Sequence, residues 1–150
     1  MRAAIDLAVE HMRAKEGGPF GALITRGSEI VARGWNKVTS SNDPTAHAEM
    51  NAIRAAAAAL GSFQLRGCVL YTSCEPCPMC LGAVYWARVD RLVFAANRHD
   101  AVEAGFDDEH IYSELARPPF SRELPTLQTL REKAVEVLAE WRQMPDKMTY

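Results

Sequence analysis

The sequence of 150 residues has no surplus of positive charge: 17 Lys and Arg face 19 Asp and Glu, a net charge of −2. A nucleic-acid partner prefers a basic face, so this total gives it no support, although a local patch can hide in a neutral sum. No apolar run approaches the roughly 20 residues of a membrane-spanning helix, and no membrane partner is expected. The first residues lack the apolar core and cleavage site of an export signal. Repeats and low-complexity linkers are missing too, so residues 1–150 are expected to form one domain, and 48% hydrophobic content is enough for a sizeable core. Cysteine is scarce, at four residues. Their spacing suits a metal rather than a disulfide framework, which predicts the reducing cytoplasm.

What is present is concentrated in two short segments, His47-Ala48-Glu49 and Pro76-Cys77-Pro78-Met79-Cys80. His47, Cys77 and Cys80 suit one tetrahedral Zn²⁺ per chain and leave its fourth corner open for water. An open corner separates a catalytic zinc from a structural one, and Glu49 is then the base for the proton of that water. Residues separated by one diverge by about 200° around a helix, so His47 and Glu49 can address one metal only at the open start of a helix. Asp43-Pro44-Thr45 supplies capping oxygens and a first-turn proline for a helix over 47–60. Cys77 and Cys80, at i and i+3 behind Pro76, share one face of a second helix start. Two helix N-termini aimed at one ion also favour thiolate over thiol. Cys74-x-x-Cys77-x-x-Cys80 lacks the further Cys-Pro of a ferredoxin run, and a dithiol redox pair would have no use for His47 and Glu49. Cys68 and Cys74 read as small buried hydrophobes. His11, His99 and His110 read as surface or packing residues.

The remaining pattern alternates helix and strand. An amphipathic helix over 1–15 precedes the Gly17-Gly18-Pro19 break. Strands over 20–25 and 29–35 flank the Arg26-Gly27-Ser28 turn as a hairpin. Strands over 68–72 and 91–95 enclose a helix over 77–87, an arrangement that predicts a crossover and parallel pairing. A helix near 108–115, a fifth strand over 124–129 and a last helix over 132–144, stopped by Pro145, complete the pattern. The expected fold class is α/β, a three-layer α-β-α sandwich around a mixed five-stranded sheet, with the metal above the strand ends.

Gly18-Pro19-Phe20-Gly21-Ala22, the run from Asn42 to Glu49, the run from Tyr71 to Cys80, and Gly105-Phe106-Asp107-Asp108 carry a resemblance over nearly the whole chain. The His-x-Glu and Pro-Cys-x-x-Cys spacing resembles that of the zinc-dependent nucleobase deaminases. The chain is similar to the cytidine deaminase-like superfamily and, more narrowly, to its small bacterial guanine deaminases. Residues 131–149 match less closely. The resemblance implies conversion of guanine to xanthine and ammonia: hydroxide generated at the zinc attacks C2, and Glu49 shuttles protons. It also implies Asp108 as the acid for the leaving amine, whereas an acidic run at a helix start otherwise reads as caps, with Asp107 and Glu109 as surface charges. Asn36 stands where related deaminases hold the base through an amide, which offers both donor and acceptor. Otherwise it reads as a turn residue. Phe20 and Trp86 are candidates for stacking on the base, though both suit a core. Ala48 and Tyr150 are further candidate base contacts. The resemblance implies a domain-swapped homodimer whose residues 145–150 close the partner's pocket. A tRNA adenosine deaminase, a cytosine or cytidine deaminase and a non-enzymatic zinc domain are the alternatives. The acidic balance and aromatic end favour a small nucleobase as partner.

Overall fold

The computed structural model describes residues 1–106 and 108–149, so Asp107 and Tyr150 lie outside the described residues. The chain divides into two units, Met1–Glu109 and His110–Tyr150. The first contains helix α1 (Arg2–Arg13), strands β1 (Gly21–Arg26) and β2 (Glu29–Trp35), a short helix α2 (Val38–Ser41) and helix α3 (Ala48–Leu60). Strand β3 (Cys68–Cys74), helix α4 (Pro78–Ala87), strand β4 (Arg91–Ala96) and helix α5 (Arg98–Glu103) follow.

The sheet has four strands in the order β2-β1-β3-β4. Strand β1 pairs antiparallel with both β2 and β3, whereas β3 and β4 are parallel, as the strand–helix–strand pattern predicts. Register assigns its faces. Gly21 lies opposite Trp35, and a Cβ at Gly21 would collide with the Ala4 carbonyl, so this face carries α1. Ala22 lies opposite Gly34, where a Cβ would collide with the carbonyl of Ala48, so the other face carries α3. Glycine permits both close approaches because it has no side chain to displace the helix backbone. The core lies on the α3 face: Ala22, Ile24 and Leu70 of the sheet meet Ala48, Ala52 and Ala56 of α3 and Val84 and Ala87 of α4. The alanine spacing of four draws one small-residue stripe down α3, which brings the helix close to the strands. The fold is α/β with a mixed sheet flanked by helices.

The second unit contains most of α6 (Asp108–Ala116), a 3₁₀ turn (Pro119–Ser121) and α7 (Arg131–Gln143). The expected fifth strand over 124–129 is absent, and residues 125–130 are irregular. Leu124, Leu127 and Leu130 recur every third residue rather than every second, so no strand face collects them, and Pro125 has no N–H for a ladder. All three leucines are exposed. No described residue from 110 to 149 is buried.

Candidate active site

Helices α3 and α4 both begin at a candidate metal ligand. His47 is the N-cap of α3 and Cys77 that of α4, both with extended backbone and neither side chain capping its helix. The first-turn N–H groups therefore keep their positive end toward the site. Helix α3 lies where expected, with His47 as its N-cap, and Asp43-Pro44-Thr45 stands ahead of the helix instead of capping it. Asp43 Oδ1 accepts from the Thr45 N–H at 2.8 Å and from its hydroxyl at 2.7 Å, forming a turn ahead of the helix. On α4 the first-turn proline is Pro78, not Pro76.

His47 Nδ1 lies 3.6 Å from the sulfur of Cys77 and 3.6 Å from that of Cys80. A tetrahedral zinc with bonds of about 2.0–2.1 Å to nitrogen and 2.3 Å to sulfur separates those atoms by about 3.6 Å. The spacing and the soft donor set fit that ion. The Cys77 thiol is pulled down to about 4, first by its hydrogen bond with Cys80 and then by His47. Cys80, left holding the shared proton, is pushed up by that hydrogen bond and by burial. The His47 imidazole is raised, chiefly by its bond to Cys77, with smaller contributions from Glu49 and Asp108. Glu49 is 6% exposed, and burial raises its pKa. Its Oε2 stands 3.5 Å from the Cys80 sulfur.

A cavity of about 480 Å³ opens over these residues. Phe20, Asn36, His47, Glu49, Cys77 and Asp108 line it, while Cys80 lies beneath, fully buried. Two sequence candidates are elsewhere. The Ala48 side chain is in the core, so only its backbone remains available to a base. Trp86 is 64% exposed and does not line the cavity. Six residues past Cys80, it is rotated by about 240° around the helix, whereas Val84 and Ala87 return to the Cys80 side. It is therefore no core residue either. Tyr150, the remaining base-contact candidate, lies outside the described residues.

The aromatic partner of Phe20 is Phe106, edge-on at a centroid distance of 4.7 Å. Phe106 also lines the cavity, beside Gly17, Gly18, Cys74 and Glu75. In the sequence the two glycines read as a chain break, and Phe106 has no site role of its own. Cys74 is buried, as its reading predicts, and burial pushes its thiol up to about 11. Asn36 lines the cavity with its acceptor already engaged. Its Oδ1 accepts the Gly18 N–H at 3.1 Å and the Val38 N–H at 3.2 Å. The acceptor is consumed by the protein, which fixes the amide orientation and leaves the two donors of Nδ2 for the cavity. Asn51 of α3 braces the same region, donating Nδ2 to the carbonyls of Trp35 (2.8 Å) and Ala46 (3.2 Å).

Residues 1–96 match the cytidine and deoxycytidylate deaminase zinc-binding region. The chain belongs to this family. Within it, the chain is 50% identical to guanine deaminase of Bacillus subtilis, over 100% of this chain and 96% of the relative. The X-ray structure of that enzyme superposes with a TM-score of 0.96, covering 99% of this chain and 95% of its own. A tRNA-specific adenosine deaminase of Aquifex aeolicus is 35% identical over 88% of this chain and 86% of its own length. Guanine deaminase of Nitrosomonas europaea aligns with a TM-score of 0.68 at 36% identity, covering 71% of this chain and 62% of that one. As a zinc-binding deaminase, the chain has in His47, Cys77 and Cys80 a group able to hold the family's metal.

Proposed function

We propose that the protein hydrolyses guanine to xanthine and ammonia. The observation that carries this reading is the reach of the likeness to guanine deaminase of Bacillus subtilis, which runs the length of the chain. The match to the zinc-binding region covers only residues 1–96. His47, Cys77 and Cys80 would hold Zn²⁺, which when bound would acidify a water to a nucleophile near neutral pH. Glu49, buried and with a raised pKa, would take a proton from the attacking water and deliver it to N3, making C2 electrophilic. Water thus adds across C2 and N3. The bond from C2 to the exocyclic nitrogen breaks as Asp108 protonates the departing amine, and the C2 hydroxyl, becoming the carbonyl of xanthine, returns its proton to Asp108. Asn36 presents only donors, so it meets an acceptor atom on the purine edge. Phe20 and Phe106 form an aromatic wall suited to a planar base.

The unit His110–Tyr150 exposes apolar residues including Leu127 (86%) and Leu138 (66%) in the single chain. A stretch this apolar has a use for a second copy, which supports a homodimer that exchanges C-terminal segments, residues 145–150 closing the partner's cavity. Tyr150 then contacts the base across the interface, and bulk water is excluded from the closed cavity.

Ammonia release over guanine, guanosine, aminotriazines, cytosine, cytidine and tRNA anticodon stem-loops tests the substrate. Guanine is expected to react, with little action on cytidine or tRNA. Rapid cytidine or tRNA deamination with guanine inert would overturn the guanine reading and leave the deaminase family intact.

A further inference from the structure

Asn36 is held by its backbone N–H, which donates to the Phe20 carbonyl at 3.0 Å, and a further contact lies one residue earlier on each side. Glu16 and Trp35 immediately precede Gly17 and Asn36 in sequence. Trp35 Nε1 donates to Glu16 Oε2 at 2.7 Å, and His11 Nδ1 meets the same oxygen at 2.9 Å. The His11 ring stacks on Trp35 at 3.7 Å with an interplanar angle of 4°, while Lys37 Nζ covers the indole at 4.1 Å. Directly after this joint, Gly17 packs so closely on Asn36 that a Cβ would collide with its carbonyl oxygen and lie 2.8 Å from its Oδ1. Gly18 then donates its N–H to Oδ1. The cavity wall at Gly17 and Gly18 and the amide of Asn36 are thus one assembly, closed by a side-chain bond at its edge.

We infer that Glu16 and Trp35 are positioning residues that latch the Gly17-Gly18 segment onto Asn36 and thereby aim its amide N–H groups at the base. Neither residue lines the cavity, so neither touches the reacting atoms. Asn36 has two holds on its oxygen, and they differ in kind. The Val38 N–H is two residues away and survives on local geometry, whereas the Gly18 N–H spans eighteen residues and depends on the two segments staying together. Opening the latch releases the second hold selectively. The amide then rotates, and its donors are no longer fixed toward the cavity. Glu16 is well suited to the task as a charged acceptor at neutral pH, and the hydrogen bond from Trp35 holds its carboxyl below its ordinary value.

The inference rests on the reading of Asn36 as the base-binding amide, and the experiment separates the two. Trp35→Phe removes the donor and keeps an aromatic ring against His11. Glu16→Ala removes the acceptor at a partly exposed site and serves if the tryptophan variant fails to fold. Glu16→Gln retains an acceptor oxygen. Hydrogen exchange at Gly18 N–H and Val38 N–H is measured in metal-loaded protein without substrate, and KM and kcat are measured with guanine. Trp35→Phe and Glu16→Ala are expected to speed Gly18 exchange about tenfold, leave Val38 within about twofold, and raise KM about tenfold with kcat little changed. Glu16→Gln is expected to restore most of both. Adding Asn36→Ala to Trp35→Phe is expected to raise KM no further than Asn36→Ala does alone. Unchanged Gly18 exchange in both Trp35→Phe and Glu16→Ala overturns the latch. Faster exchange with unchanged KM overturns the base-binding role of Asn36.

Discussion

Residues 1–109 and 110–149 carry comparable apolar side chains and treat them in opposite ways. In the first unit, Ile24, Leu65 and Leu70 are fully buried between sheet and helices. In the second, Leu124, Leu127 and Leu138 are 74%, 86% and 66% exposed. Burial of a leucine stabilises by roughly 1.5–3 kcal/mol, so the first unit has its own reason to fold. The second, with no buried residue among those described, has none in a single chain. Every residue proposed to hold the metal or move protons lies in the first unit. Chemistry was placed on the self-supporting part, and the apolar surplus of the other part is what an assembly would consume.

The strongest test of that division is Glu49→Gln. An amide keeps the shape of the side chain and cannot relay protons, so turnover is expected to fall by at least about a thousandfold. Zinc content should stay at one per chain, whereas Cys77→Ser should lose zinc and Cys74→Ser should keep it. Near wild-type turnover in zinc-loaded Glu49→Gln would remove Glu49 from the mechanism. Loss of zinc from Cys74→Ser but not from Cys77→Ser would redraw the ligand set.

A second pair of substitutions addresses the comparison directly. Leu70→Ala, at a fully buried site, is expected to cost about 2–5 kcal/mol through lost burial and the cavity left behind. Leu138→Ala on a free surface would stay within about 0.5 kcal/mol. If segments are exchanged between copies, Leu138→Ala instead lowers stability by more than about 1 kcal/mol and weakens the dimer in sedimentation. A negligible effect on both would leave the second unit as exposed in solution as it is in one chain, and the exchange would fail.

The site was more legible in the sequence than its surroundings because metal chemistry constrains spacing rigidly. One imidazole and two thiolates must converge on one ion, and His47, Cys77 and Cys80 announce themselves by type and interval. Strand positions were legible for a related reason, since turn residues such as Gly27 mark where a hairpin reverses. The wall of the cavity was not. Phe106 becomes a neighbour of Phe20 only through tertiary folding, and no local period links residues so far apart. Trp86 shows the converse error, where an apolar helix hides which of its sides faces the sheet. The strand expected over 124–129 is absent because leucines spaced by three, Leu124 and Leu127, cannot share one strand face.

The smallest expected effect compares one carboxylate from each unit. Glu16 has its pKa lowered chiefly by the hydrogen bond from Trp35, and Glu114 chiefly by the backbone N–H of Glu123, then by Arg117. Each folded-state value lies below the ordinary 4.5, so each group binds a proton less readily folded than unfolded. Their contribution is therefore complete above that ordinary value and disappears as pH falls through the lower folded one. Glu16→Gln should make the loss of melting temperature between about pH 6 and about pH 3 shallower, because part of that loss is protonation of Glu16. Glu114→Gln should do the same if the second unit melts together with the first, as exchanged segments require. An acid limb flattened by Glu16→Gln and untouched by Glu114→Gln would mean that the units unfold separately, with the second adding nothing to the stability that protects the metal site.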